Sequence, residues 1–438
     1  MKYHIITFGC QMNEADSSLM AALLEAAGWE SAASRDEADL VVLNTCSVRE
    51  KPEHKVDSLL GELRGLKEQR RGLVIAVTGC MAQREGEELA RRRRCVDAVL
   101  GTRSFHHIAE AVARVRSGER PVVIADLAED PSPLRCTVTT ERAPLRAFVP
   151  IILGCTNFCS YCIVPYVRGG ERSRSVGEIS REVKDLVHRG TREVTLLGQN
   201  VLAYGRDASN ETTFAGLIRT LDRVEGLWRI RFTTCHPRDV GGDLVTAMAE
   251  LPKVCEHIHL PIQAGTDKLL REMNRGYTTD EYLRIVDELR AGVPGIAITT
   301  DMMVGFPGES DQDLESSLGL YERIRFDAAF MFAYSPRPGT QAAQRGDQIP
   351  RKARLERLHR LIELQNRITL ERNEEQAGST VEVLVEGPAQ KGEGLLAGKT
   401  RQNKQVVFPG DAKLTGRPVN VRLTEAHVWG FRGVPSAA

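Results

Sequence analysis

Three cysteines on one short loop, Cys155, Cys159 and Cys162 in the stretch CTNFCSYC, constrain this chain more than any other feature. Thiolates at this three-then-two spacing can hold three corners of a cubane iron-sulfur cluster and leave the fourth iron open to a small-molecule ligand. A structural zinc site wants four ligands, and no fourth cysteine or histidine stands at zinc-type spacing nearby. A disulfide framework belongs to an oxidising compartment. The N-terminus MKYHIITFGC carries no charged lead, apolar stretch or small-residue cleavage site that would send the chain to one. No apolar run approaches membrane-spanning length either. The chain is therefore expected to be cytoplasmic, with its ten cysteines acting as metal ligands and buried thiols.

At 438 residues the chain exceeds one ordinary core. Lysine plus arginine equals aspartate plus glutamate at 59 each, so a nucleic-acid contact must come from local patches rather than a global positive field. The first domain, expected over 1–118, alternates apolar strands (KYHIITF, ADLVVLN, GLVIAVTG, VDAVLG) with amphipathic helices, the pattern of an open parallel α/β sheet. Its first three strands each run straight into a cysteine: Cys10 in FGCQMNE, Cys46 in LNTCSVRE and Cys80 in TGCMAQRE. Ligands of open α/β sheets gather at the carboxyl ends of strands, so this placement predicts a second three-cysteine site. Residues 118–146, rich in proline and charge, read as a linker. Six strand-helix units follow from 147 to about 335 and predict an incomplete (β/α)6 barrel within a domain spanning 141–375, with polar loops at the strand ends. After Gly378 five short strands predict a small oligonucleotide-binding-type β-barrel over 378–438. Lys391, Lys399, Arg401 and Lys404 flank its turns, either as an RNA grip or as a solvated charged rim.

GCQMNEADS, LNTCSVRE, TGCMAQ, the CTNFCSYC loop with IVPYVRG after it, LLGQNV, FTTCHP, LPIQAGTD, VGFPGE and SPRPGT together resemble one family from end to end. That family is the methylthiotransferases, which belong to the radical S-adenosylmethionine (SAM) enzymes. The resemblance implies a methylthiotransferase N-terminal domain, a radical SAM core and a C-terminal TRAM domain. The residues around Cys10 and Cys46 are similar to the branch acting on tRNA position 37. They differ from the branches acting on a ribosomal-protein aspartate or on threonylcarbamoyladenosine. A departure is Cys235 in TTCHP, where that branch carries serine; a buried inert thiol is expected there.

By this resemblance Cys155, Cys159 and Cys162 hold the radical SAM [4Fe-4S] cluster, and Cys10, Cys46 and Cys80 hold an auxiliary [4Fe-4S] cluster. The implied reaction is methylthiolation of C2 of N6-isopentenyladenosine at position 37, in the anticodon loop of tRNA. SAM would serve both as methyl donor and as radical source. Gln199, Asn200, Arg168 and Gln263 are candidate SAM contacts, and Phe158 and Tyr161 are candidate shields of the cluster. His236 and His259 read as proton carriers or as buried structural histidines. Cys95, Cys136 and Cys255 read as packing or surface residues, and RRRRC at 91–95 as a solvated helical face. An electron donor such as flavodoxin or ferredoxin is implied, with a monomeric enzyme and no membrane partner. A non-catalytic iron-sulfur carrier or RNA-binding protein that retains the fold is the competing class; complete cysteine triads at both sites argue against the carrier.

Overall fold

Leu40, Val41, Val42 and Leu43 are all buried, as a strand covered on both faces requires. They lie in the central part of the N-terminal sheet. That sheet contains β1 (Lys2–Thr7), β2 (Glu30–Ser31), β3 (Leu40–Thr45), β4 (Val74–Gly79), β5 (Ala98–Leu100) and β6 (Val122–Ile124), all parallel, in the order β2-β1-β3-β4-β5-β6. Leu40 and Val42 join Met20, Leu24, Ile108 and Val112 beneath α1 (Gln11–Ala26) and α4 (Ile108–Arg116). Val41 and Leu43 face the other way, toward Val56, Leu60 and Leu89 of α2 (Glu50–Gln69) and α3 (Cys80–Arg92). The structure, a computed structural model, describes residues 1–47, 50–127, 143–207 and 212–436. Val122–Ile124, expected in the linker, instead extend the sheet by pairing with β5, so the first domain runs past 118. Cys136 lies outside the described residues.

The second domain is the expected open barrel. Its strands are β7 (Arg146–Pro150), β10 (Glu193–Leu197), β11 (Arg229–Phe232), β12 (His257–His259), β13 (Ala297–Val304) and β14 (Ala328–Ala333). They form two parallel three-stranded sheets, β7-β10-β11 and β12-β13-β14, joined where Ile230 bridges Val254. A short pair, β8 (Ile152–Leu153) and β9 (Arg172–Ser173), brackets the CTNFCSYC loop and α5 (Val164–Arg168). Helices α6 (Val176–His188), α7 (Phe214–Asp222), α8 (Gly242–Glu250), α9 (Asp267–Glu272), α10 (Thr279–Gly292) and α11 (Asp311–Ile324) surround the strands. Capping boxes at Ser175/Glu178, Thr278/Glu281 and Ser310/Asp313 fix where α6, α10 and α11 begin. α12 (Arg351–Glu374) leads to the C-terminal barrel, closed in the order β15-β16-β17-β19-β18. Its strands are β15 (Thr380–Pro388), β16 (Leu395–Thr400), β17 (Gln405–Pro409), β18 (Pro418–His427) and β19 (Gly430–Pro435).

The C-terminal barrel seals the amino-terminal mouth of the open one. Arg146, Glu193 and Arg229 begin three neighbouring strands, Arg231 stands two residues along the third, and Glu193 ion-pairs with Arg231 at 3.0 Å and with Arg146 at 3.1 Å. Buried charges need further partners, and the 400–404 turn provides them. Arg229 donates to the Lys399 carbonyl (2.8 Å), and Arg231 to the carbonyls of Arg401 (2.7 Å) and Thr400 (2.7 Å). Arg401 forks onto Glu256 and bonds the Val254 carbonyl at 2.6 Å, while Lys404 pairs with Asp327 at 3.0 Å. Lys399, Arg401 and Lys404 are thus neither RNA grip nor solvated rim. Their charge finds partners on the barrel floor and within their own turn, where Lys399 bonds Asn403. Lys391 alone of the four is exposed.

Candidate active site

Cys10 caps the start of α1 and Cys80 is the first residue of α3, so both thiols sit at helix N-termini. Cys46 follows β3, the strand between β1 and β4. Two glycines let the three strand ends close up. A Cβ on Gly9 would stand 2.5 Å from that of Cys46, and one on Gly79 (φ +91) would stand 2.3 Å from the Thr45 carbonyl oxygen. Asn13 and Asn44 lock the same turn: Asn13 Nδ2 donates to Asn44 Oδ1 and the Thr45 carbonyl, and Asn44 Nδ2 to the Asn13 carbonyl. Met12 packs with Ala15 on Phe148 and Leu197 of the barrel. Within GCQMNE, then, Met12 and Asn13 hold structure, and Gln11 and Glu14 are exposed together with Gly9 and Cys10.

The CTNFCSYC loop is strapped down from two sides. Asn274 Nδ2 donates to the carbonyls of Asn157 and Phe158, and Ser160 Oγ to that of Glu272. Buried Arg275 sends Nη1 to Cys159 Sγ (3.4 Å), Nη2 to the Pro261 carbonyl (3.0 Å) and Nε to the Tyr277 hydroxyl (3.1 Å). Burial pushes the Cys155 thiol up to about 11 and that of Cys162 to about 12. The Arg275 charge pulls both the other way. Residues held at positive φ gather on this side of the barrel: Phe158 (46°), Thr234 (68°), Gln263 (72°) and Asn274 (56°). For β-branched Thr234 that is a genuine strain, of the kind that collects at functional sites.

The two cysteine groups adjoin. Cys80 packs against Ile163, the residue after Cys162, and against Val167. Arg168 then crosses between domains. Its guanidinium bonds Asp16 Oδ2 of α1 at 2.8 Å, and the two side chains are 4% and 3% exposed. Burial pushes the Asp16 carboxyl and the Cys80 thiol up, and the Arg168 charge opposes both shifts. Thr102 and Arg103 complete the seam on the Val167, Arg168 and Gly170 carbonyls.

Three family models match in succession: Uncharacterized protein family UPF0004 over residues 2–101, the Radical SAM superfamily over 149–320 and the TRAM domain over 374–433. Proteins from Moorella thermoacetica (50% identical, 98% of this chain and 97% of the relative), Carboxydothermus hydrogenoformans (45%, 99% and 98%) and Pelotomaculum thermopropionicum (46%, 99% and 98%) all carry one name, tRNA-2-methylthio-N(6)-dimethylallyladenosine synthase. The chain belongs to that family. It is a radical SAM tRNA methylthiotransferase, and a [4Fe-4S] cluster and SAM come with the radical SAM superfamily. Among solved structures, the radical SAM methyltransferase TsrM from Kitasatospora setae is similar in fold alone. It has a TM-score of 0.56 at 14% identity, covering 90% of this chain and 77% of TsrM.

The radical SAM cluster fits the residues present. Three sulfur donors share one loop, a buried guanidinium faces Cys159, and His236 Nδ1 is buried with no hydrogen-bond partner one ring away from Tyr277. Burial holds the His236 imidazole neutral, its pKa pushed down to about 2. Among the described residues no three cysteine, histidine, aspartate or glutamate side chains are drawn in to the spacing of a single-ion site. Thiolates that hold the corners of a cluster stand farther apart than the ligands of one ion.

The remaining expected residues divide. Gln199 and Gln263 lie at the carboxyl rim of the barrel, just past β10 and β12. Asn200 does not present a group to that rim: its Nδ2 donates to Asp239 (2.5 Å) and its Oδ1 accepts from the His236 amide. Arg168 likewise belongs to Asp16 and the N-terminal cysteines. Both were plausible from position, but burial obliges a polar side chain to find protein partners. Tyr161 packs on the barrel core, whereas Phe158 is exposed, edge-on to Tyr166. Cys235 and Cys255 are buried thiols, as expected, with Cys95 partly covered. The 91–95 arginines form a solvated face, with Arg93 on Asp57 and Arg92 on Glu85. Arg275, Asp16 and Arg103 escaped the sequence reading. The only signal for Arg275 was an arginine beside a glycine after a short helix.

Proposed function

We propose that this enzyme methylthiolates C2 of N6-isopentenyladenosine at tRNA position 37, with Cys155, Cys159 and Cys162 holding one [4Fe-4S] cluster and Cys10, Cys46 and Cys80 a second. The observation that carries this reading is the contact of Cys80 with Ile163 beside Cys162, which sets two three-thiol groups on either side of a single helical turn. When bound, the first cluster supplies the electron that splits SAM into methionine and a 5'-deoxyadenosyl radical, and the second supplies the sulfur that is methylated and inserted. The chain's own residues do the holding. Arg275 orients Cys159 and balances charge at the loop, Arg168 does the same beside Cys80 and Cys10, and Gln199 and Gln263 offer amide groups to SAM. The tRNA anticodon loop is the macromolecular partner. With Lys399, Arg401 and Lys404 occupied, exposed Lys391, Arg417, Arg422 and Arg432 of the C-terminal barrel are left to meet phosphates. A flavodoxin or ferredoxin supplies electrons to a monomeric, cytoplasmic enzyme. Among the described residues no helix is long and apolar enough to cross a membrane.

The test separates the two cysteine groups. Cys155→Ala should abolish reductive SAM cleavage, whereas Cys46→Ala should still release 5'-deoxyadenosine but give no methylthio nucleoside. Normal product from Cys46→Ala would remove the auxiliary cluster from the reading. Equal turnover of the same tRNA with and without its isopentenyl group would remove the substrate from it.

A further inference from the structure

β14 is the last strand of an open barrel, and its two faces are unequal. Ala329 and Met331 pack outward on the core. Phe330 and Phe332 lie on the opposite face, in register with Asp301 and Met303 of β13. Along β13 the outward residues Ile298, Met302 and Val304 are core, while Thr299, Asp301 and Met303 are only half-buried. The face carrying Phe330 is therefore the barrel lumen. Phe330 is 56% exposed, more than any other large apolar side chain among the described residues. An aromatic ring of that size left uncovered inside a barrel is a seat for something.

Its surroundings say for what. The Phe330 ring stands edge-to-face on His259, centroids 5.7 Å apart. His259 Nε2 lies 3.4 Å from Asp301 Oδ1, and its Nδ1 is 3.1 Å from Thr299 Oγ1. Phe332 continues the apolar surface one step toward the carboxyl rim, beside Met303, which is half-buried and also touches the barrel core. The patch thus combines a flat aromatic, an apolar extension and a polar pair. The amino-terminal mouth of the barrel is closed by the 400–404 turn, and the β7 edge is covered by α1 through Met12 on Phe148. Among the described residues β14 pairs only with β13.

We propose that the lumen face of β14 is the specificity site for an N6-prenylated adenine. Phe330, Phe332 and Met303 take the prenyl chain and the purine face, and the His259–Asp301 pair meets the polar edge of the ring. This assignment rests on the function proposed above and names the residues that would enforce its substrate.

The experiment is equilibrium binding of the full-length protein to anticodon stem-loop RNA bearing either isopentenyladenosine or plain adenosine at position 37, at one fixed salt concentration. Wild type should prefer the prenylated RNA by about 10-fold, the scale expected for burying a few methylene groups. Phe330→Ala should reduce that preference to about 2-fold or less by weakening the prenylated complex, with Phe330→Leu intermediate. Because Phe330 is exposed, the alanine variant should keep the wild-type thermal midpoint; if it does not, Phe330→Leu decides. A wild-type preference that survives intact in these variants overturns the assignment of β14. Absence of any preference in wild type overturns the substrate reading instead.

Discussion

Arg275 does at one atom what the CTNFCSYC spacing could not announce: it gives Cys159 a charged neighbour inside the protein. Removing it leaves the Pro261 carbonyl and the Tyr277 hydroxyl without this donor. Arg275→Met should therefore cost about 2–4 kcal/mol of stability in the cluster-free protein, measured by urea unfolding. Arg275→Lys, which keeps the charge but not the fork, should cost less. His236 makes a pH-dependent contribution with a definite sign. The folded imidazole is held neutral down to about pH 2, whereas the unfolded one takes up a proton below about 6.5. The unfolded state thus binds more protons, and stability falls as pH drops through about 6.5, by about 1.4 kcal/mol per pH unit. Between pH 7.5 and 5.5, His236→Gln should lose about 1.4 kcal/mol less than wild type. Urea midpoints at the two pH values read this directly, and equal losses would mean that His236 ionises in the fold. The six cysteines proposed as cluster ligands stood out by residue type and spacing, as metal ligands do. Arg275 and Asp16 did not, because their partners stand 116 and 152 residues away in sequence.

The 400–404 turn is the element whose role the sequence disguised. Basic residues at the turns of a small β-barrel suggest nucleic acid, and nothing local distinguishes that from a plug for another domain. The deciding facts are Glu256 and Asp327, acidic groups at the barrel floor that pair with Arg401 and Lys404, and Arg229 and Arg231, whose guanidiniums take carbonyls of the turn. Arg401→Ala, which removes the fork onto Glu256 and the bond to Val254, should weaken the docking by about 2–3 kcal/mol. Hydrogen exchange should then quicken across 378–436 with little change in β10 or β13. Lys391→Ala, at an exposed position, should stay within about 0.5 kcal/mol of wild type. Deleting the C-terminal barrel is consequently a poor probe of RNA binding, since it would also bare Arg229, Arg231 and Glu193.

Across the whole molecule, strand periodicity revealed three domains, because alternating burial writes itself into each strand. It missed β6, a three-residue strand inside a charged stretch, and it could not show how the domains meet. The Arg168–Asp16 pair is one point where two of them meet. Asp16→Asn strands a buried guanidinium and should cost about 3–5 kcal/mol, whereas Asp16→Leu combined with Arg168→Met should cost clearly less, because neither charge is then left alone. A double-mutant cycle on urea stability measures the coupling; additive losses would mean that the two domains do not communicate through this pair. The floor made by the 400–404 turn also has a meaning in time. A ribosome makes the turn roughly 200 residues after Glu193, so at about 5–20 residues per second the half-made barrel waits on the order of 10–40 s with its charged floor wet. Synthesis order thus makes the closing of the barrel a late event in the birth of each molecule, and any factor that shields nascent chains would find its target in that interval.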